Sequence, residues 1–205
     1  MHIKSTLKTP RKLPKQGRST AKFNLILEAA ARILETEGLR SFNTNAVSVL
    51  AGVSPGTLYQ YFPNKHSIIF ALVVRQLEEV FLATLAETDG VPDDKALAAF
   101  IETAVLAAQR RPKLTAILIA SEPMMVLAKV KEELPSGIQG LTATVLMRHG
   151  IAERHLDMAV IDTLGIVKGM LLASAGHDGL GDPGLTVRIK ACVVAYLSQV
   201  DELIP

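Results

Sequence analysis

Residues 39–65 read LRSFNTNAVSVLAGVSPGTLYQYFPNK, and this stretch decides the fold. Two short segments with apolar anchors meet at Ala51-Gly52-Val53-Ser54. Ala51 is small enough to let two helices approach, Gly52 tolerates the positive φ that such a turn needs, and Val53 plugs the angle between them. Asn43 is placed to cap the first helix, whose inward residues read as Val47, Leu50 and Ala51. Ser54 is placed to cap the second, with Pro55 at its first position, where a missing N–H costs nothing. Pro63 ends that helix and Asn64 can cap the next. This is the local chemistry of a helix-turn-helix.

The second helix has an unusual outer face. Leu58 and Phe62 are four residues apart and anchor one side. The other side shows Pro55, Gly56, Thr57, Tyr59, Gln60 and Tyr61, with hydrogen-bonding tips and no acid to repel phosphate. Gly56 leaves the backbone open to close approach. Tyr59 and Tyr61 can reach phosphates with their hydroxyls, and Gln60 can pair with an adenine edge in the major groove. Lys65 opens the following helix, where its charge and the free amides can hold one phosphate together. A merely solvated Gln60 and a plain surface Lys65 would fit the same letters.

Working outward, residues 1–18 hold Pro10, Pro14 and Gly17 among basic side chains and read as a disordered arm. A helix is expected from about Ser19 or Thr20, with Phe23, Ile26, Leu27, Ala30, Ile33 and Leu34 as its apolar stripe and Gly38 as its stop. After Asn64, the stripe Ile68, Ile69, Leu72, Val73, Leu77, Val80 and Phe81 predicts a long fourth helix. Further helices are expected at about Asp93–Arg110, from Pro112 to a break at Pro123, at about Val126–His149 with a weak point at Pro135–Gly137, at about Glu153–Ala175 and at about Leu185–Leu203. No period-2 strand of useful length is present. The fold class is therefore all-α: an N-terminal three-helix helix-turn-helix domain (19–66) behind the arm (1–18), followed by a helical domain (67–205).

Charge is divided unevenly along the 205 residues. Residues 1–65 hold ten Lys/Arg against three Asp/Glu, and residues 66–205 hold twelve against seventeen. A basic head on an acidic body suggests a polyanion partner, although a basic tail without a partner gives the same count. The single cysteine, Cys192, excludes an intramolecular disulfide and a cysteine zinc cage, suits a reducing compartment and reads as a buried hydrophobe. The basic N-terminus is not followed by an apolar signal region, and the longest apolar run, Ala159–Ala175, is interrupted by Asp162 and Lys168. A soluble, cytoplasmic, nucleoid-associated protein is expected.

Enzyme signatures are missing. There is no phosphate loop and no dinucleotide glycine pattern, and Gly181-Asp182-Pro183-Gly184 is a turn signal. His149, Glu153, His155 and Asp157 lie close in sequence but offer no i, i+4 histidine pair, so no metal is expected. No catalytic residue and no cofactor is assigned.

The residues Ala51-Gly52-Val53-Ser54, Gly56-Thr57-Leu58-Tyr59, Tyr61-Phe62 and Lys65, with Ile26, Leu27, Ala29, Ala30 and Glu37-Gly38 before them, resemble the DNA-binding head of the TetR family of bacterial regulators. The resemblance covers about residues 22–72. It implies a contact face of Thr44, Asn45, Ser54, Pro55, Gly56, Thr57, Tyr59, Gln60, Tyr61 and Lys65, with Gly56, Gln60 and Tyr61 nearest the bases. Pro55 stands where the family often has Lys or Arg, which shifts affinity toward the basic arm. Ser48 stands where Ala is more common. The resemblance also implies that the last two helices pair with the same two in a second subunit. Gly165, Gly169 and Ala173 form a small-residue strip for this, matched by Ile189, Val193, Tyr196, Leu197 and Val200, although internal packing explains such stripes too. Two recognition helices about one DNA turn (roughly 34 Å) apart would read a palindrome.

Ile101, Val105, Ile117, Met124, Leu146 and Met170 form the expected wall of a site for a mostly apolar small molecule, and suit an ordinary core equally well. The implied function is a sequence-specific DNA-binding regulator: a homodimeric repressor, released from a palindromic operator by that ligand. The other classes are a nucleoid binder without sequence choice and an enzyme. The Thr57–Gln60–Tyr61 surface argues against the former.

Overall fold

The computed structural model describes residues 17–125, 136–177 and 179–203, and every regular element among them is helical. In chain order these are α1 (Gly17–Ser41), α2 (Thr44–Leu50), α3 (Pro55–Tyr61), α4 (Lys65–Thr88), α5 (Asp93–Arg110), α6 (Pro112–Met125), α7 (Ser136–Arg148), α8 (Glu153–Ala175), a 3₁₀ turn (Gly179–Gly181), α9 (Leu185–Leu197) and α10 (Val200–Leu203). The expected arm, and the part of the expected Val126–His149 helix before Ser136, lie outside the described residues. Two compact units result. One takes the described residues up to Gln76 with those from Ile117 to Met125, and the other takes Leu77–Ala116 with the described residues from Ser136 onward.

The first unit is built on α1. Ile26, Leu27, Ala30, Ile33 and Leu34 are buried along one stripe, with Val47 of α2, Leu58 of α3, Phe62, and Ile68, Ile69 and Leu72 of α4 buried in the same unit. Gly38 (φ 74°, ψ 178°) interrupts α1 where the stop was expected. The three expected caps are formed. The Asn43 side chain accepts from the Ala46 amide at 2.9 Å, Ser54 Oγ from the Thr57 amide at 3.1 Å, and Asn64 Oδ1 from the Ser67 amide at 2.9 Å. Between α2 and α3, Gly52 (φ 65°) donates to Val49 O and Val53 donates to Ser48 O, the two crossed bonds of a Schellman turn. Leu50, expected inward, is half exposed, and its place is taken by buried Ser48, whose hydroxyl returns to Asn45 O at 2.9 Å.

In the second unit α5 packs on α7, α8 and α9, and α8 packs on both α7 and α9. Arg148, at the end of α7, holds the α4–α5 connection. Its guanidinium donates to Asp93 Oδ1 at 2.6 Å, to Thr88 O at 3.1 Å, and to Val91 O. Carbonyls that α4 cannot satisfy internally are thus met by a cation, which also suits the negative end of the helix dipole. Lys190 of α9 pairs with Glu102 of α5. By length and composition alone α8 is apolar enough to cross a membrane. It carries Asp162 and Lys168, and Asp162 accepts from Tyr196 Oη of α9 at 2.6 Å. Burial first, then the Asp162 carboxylate, pushes the Tyr196 phenol up to about 12. Burial likewise holds the Lys168 ammonium below its usual value.

Several expectations need correction. α6 runs through Pro123 to Met125, because a proline in the last turn removes a single i→i−4 bond. The final helix divides at Ser198–Gln199, where the Gln199 amide bonds Tyr196 O in a tighter turn. Ile189, Val193, Leu197 and Val200 are at most 5% exposed in the single chain, so they form its own core and have no surface to offer a partner. Tyr196 is half-buried against Asp162. Cys192, read as buried, is exposed, since it lies about 100° around the helix from Val193. The outward residues of α9 include Val187, Ala191 and Val194, and those of α8 include Met158, Ile161, Gly165, Gly169, Leu172 and Ala173.

A Cβ on Gly52 would meet no atom within 4 Å. Gly52→Ala should therefore lower stability only through its left-handed backbone, by about 1–2 kcal/mol. Urea melts of the two proteins check this, and equal midpoints would show that the turn relaxes without cost.

Candidate nucleic-acid interface

α3 has seven residues, too few to persist on their own hydrogen bonds. Its position comes from the Ser54 cap, Pro55 at the first turn and a buried aromatic cluster. Phe23 of α1 stacks on Phe62 at a centroid distance of 4.9 Å and meets Tyr61 edge-on at 6.1 Å. The Tyr61 hydroxyl is 3.1 Å from Ser19 Oγ. Tyr61 is only 9% exposed and so does not stand on the outer face as expected. Leu58 and Tyr61 are three apart on one helical face, and Phe62 also turns inward because its backbone is already extended (φ −124°, ψ 106°).

The remaining candidates lie on the outside of this unit. Asn45, Ser54, Pro55, Gly56, Tyr59, Gln60 and Lys65 are exposed, and Thr44 and Thr57 are half-buried. Ser54 Oγ and Thr57 Oγ1 are 2.9 Å apart. Tyr59 Oη, on a side chain 44% exposed, is 3.0 Å from Thr44 Oγ1 at the start of α2. This pairing links the two helices across the turn and has no signal in the sequence, where the two residues read as separate phosphate contacts. One hydroxyl proton is used within the pair, so one remains for a phosphate oxygen, polarised by the bond behind it.

Apart from Lys65 at its edge, the surface carries no formal charge. No Asp, Glu, Lys or Arg occurs between residues 42 and 64, and Arg40 and Lys65 flank the stretch. Hydroxyl, amide and helix-terminal N–H groups are what it offers. In residues 23–65 acids and bases balance, so the basic excess of the head lies in residues 1–22.

The other expected sites are scattered. Ile101, Val105 and Leu146 are fully buried, Met170 is half-buried on α8, Ile117 belongs to the first unit, and the Met124 side chain lies outside the described residues. Among the described residues no three His, Cys, Asp or Glu side chains converge as metal ligands. His155 turns inward toward Arg154 and Asp201.

Two substitutions separate the tyrosines. Tyr61→Phe should cost about 1 kcal/mol of stability through the missing Ser19 bond and leave DNA affinity unchanged. Tyr59→Phe should do the reverse, weakening every DNA sequence alike. Urea melts with fluorescence anisotropy on labelled duplexes measure both, and weakened binding by folded Tyr61→Phe would return that residue to the interface. Removing residues 1–16 should flatten the dependence of log K on log salt by about 0.9 for each phosphate that the arm neutralises. An unchanged slope would mean that the arm's cations do not meet DNA.

The family model for bacterial regulatory proteins of the tetR family matches residues 26–72, and that for the tetracyclin repressor-like C-terminal domain matches residues 92–197. The nucleoid occlusion factors SlmA of Haemophilus ducreyi (28% identical) and Glaesserella parasuis serovar 5 (29%) each align over 138 residues, 66% of this chain. The chain spans 65% of the length of either relative. The fatty acid degradation regulator FadR from Bacillus halodurans superposes with a TM-score of 0.72 at 21% identity, over 90% of this chain and 96% of that one. A TetR-family transcriptional regulator from Streptomyces coelicolor gives 0.67 at 21% identity, over 87% and 99%. At these identities the structural likeness concerns the fold. The family models cover the head and most of the body, and the chain belongs to the TetR family of DNA-binding bacterial transcription regulators, which are not enzymes.

Proposed function

We propose that the protein is a cytoplasmic, homodimeric repressor that reads a palindromic operator and leaves it when a small, mostly apolar ligand binds. The observation that carries this reading is the α3 face. It is exposed, free of acids, rich in hydrogen-bonding tips and fixed by a cap and an aromatic cluster. Gln60 is the base reader, Gly56 allows close approach, and Thr44, Asn45, Ser54, Pro55, Thr57, Tyr59 and Lys65 set register on the backbone. The uncharged α3 face gives sequence choice, and the arm gives general attraction.

Dimerisation runs through the exposed faces of α8 and α9. A Cβ at Gly165 or Gly169 would meet nothing within 4 Å, so the chain's own packing does not require glycine there. Mid-helix glycine costs about 1 kcal/mol against alanine, and close approach of a second subunit accounts for keeping it. The ligand enters between α5, α7 and α8, displacing side chains around Ile101, Val105, Leu146 and Met170, and acts on DNA through α4, which begins in one unit and ends in the other. The kinship to proteins called nucleoid occlusion factors favours a second reading, in which DNA binding serves the nucleoid and answers to no ligand.

Selection of bound duplexes from a random pool at physiological salt tests the main reading. An enriched inverted repeat is expected, with Gln60→Ala relaxing choice at one position per half-site. No enrichment would favour the nucleoid reading. Gly169→Leu should convert dimer to monomer in sedimentation velocity while the helix content holds. A dimer that survives it would move the interface elsewhere.

A further inference from the structure

Both tyrosines of α3 pair their hydroxyls with a small side chain on another helix. Tyr61 Oη is 3.1 Å from Ser19 Oγ of α1, and Tyr59 Oη is 3.0 Å from Thr44 Oγ1 of α2. Their surroundings differ. Tyr61 is buried, and its ring meets Phe23 edge-on and lies tilted against Phe62. Packing holds it whether or not its hydroxyl bond forms. Tyr59 is 44% exposed, and among the described residues its ring packs on no other aromatic ring. The hydrogen bond to Thr44 is what directs its phenol tip.

Such a bond does little for stability. A neutral pair open to water gains little over two hydrated hydroxyls, and holding an exposed tyrosine in one rotamer costs entropy. It does more for binding, because a tip held in place beforehand loses less freedom when a partner arrives. The chemistry of that partner follows from the protons. The pair has two, and one lies between the oxygens, so one O–H is left to donate. No acid occurs in residues 42–64 to repel an incoming anion. Thr44 is half-buried and Tyr59 is the more exposed of the two, so the outward proton belongs to Tyr59. For Tyr59 to donate outward, Thr44 must donate inward. The Ser54–Thr57 pair, at 2.9 Å, stays within one turn of α3. The Thr44–Tyr59 pair instead joins residues 15 apart on two helices, so it also fixes where α3 stands against α2.

We infer that Thr44 is a positioning residue for the phosphate contact of Tyr59. Thr44 Oγ1 donates to Tyr59 Oη, Tyr59 Oη donates to a phosphate oxygen, and Thr44 makes no phosphate contact of its own. The inference rests on the reading of the α3 face as the one turned to DNA. The two hydroxyls are then a single device and not two independent contacts.

Fluorescence anisotropy of the full chain on a labelled duplex of mixed sequence, with Thr44→Val, Tyr59→Phe and the double variant, tests this. A phosphate contact does not depend on the bases, so the outcome is independent of whether Gln60 reads one, and the operator reading can fail while this one stands. Tyr59→Phe should bind roughly tenfold more weakly, the loss of a hydrogen bond to a charged partner. Thr44→Val should bind about threefold more weakly, because bonds in a chain strengthen one another and an unaimed phenol must be ordered on binding. Adding Thr44→Val to Tyr59→Phe should cost nothing further, and Thr44→Ser should bind like the wild type. No cation is removed, so the dependence of log K on log salt should be the same throughout. Thermal melts check that each variant is folded. Wild-type affinity in Thr44→Val, losses that multiply in the double variant, failure of Thr44→Ser to restore binding, or a flatter salt dependence in Thr44→Val would each overturn the inference.

Discussion

A recognition helix of two turns depends on whatever holds it from behind, and here that is the contact of Phe23 with Phe62 and Tyr61. Helix initiation is costly, and seven residues repay little of it. The caps at Asn43 and Ser54 satisfy the first amides of α2 and α3, and Gly52 turns the chain between them. Leu58, Tyr61 and Phe62 then bind α3 to α1 by burial. With its inner side committed in this way, the outer side is free to be chosen for chemistry. Polar tips replace the apolar and charged residues that a helix would otherwise use for its own stability.

How much of this is legible in the sequence follows from the range of each interaction. Caps and glycine turns are set by neighbours within four residues, so Asn43, Ser54, Asn64, Gly38 and Gly52 can be read from the letters. Tyr61 cannot. Leu58 and Phe62 define a face at four-residue spacing, while Leu58 and Tyr61 share a face at three, and helical spacing ceases to apply to Phe62 because its backbone is extended. The stripe Ile189, Val193, Leu197 and Val200 announces its own burial, but a stripe does not say what buries it. α9 is apolar on nearly every side, with Val187 and Val194 outward, so its period cannot distinguish core from partner.

On the proposed reading, attraction and discrimination fall to different parts of the head. Phosphate attraction rises with every added cation and falls with salt, whereas base reading depends on dipoles held at fixed positions. Residues 42–64 carry no charge and residues 1–22 carry seven positive ones without an acid. The position after the turn serine shows the same division. Pro55 rigidifies the first turn of α3 where a cation would have added affinity without information. The Thr44–Tyr59 pair leaves one polarised hydroxyl proton free without adding charge.

Arg148 has a consequence for the order of synthesis. It reaches back 55 to 60 residues to Asp93, Val91 and Thr88. During translation the end of α4 therefore leaves the ribosome with these carbonyls open to water until α7 has been made. The aromatic cluster of the head closes earlier, since all its members precede residue 63. A nascent chain thus contains every residue of the aromatic cluster before the residue that clamps the far end of α4.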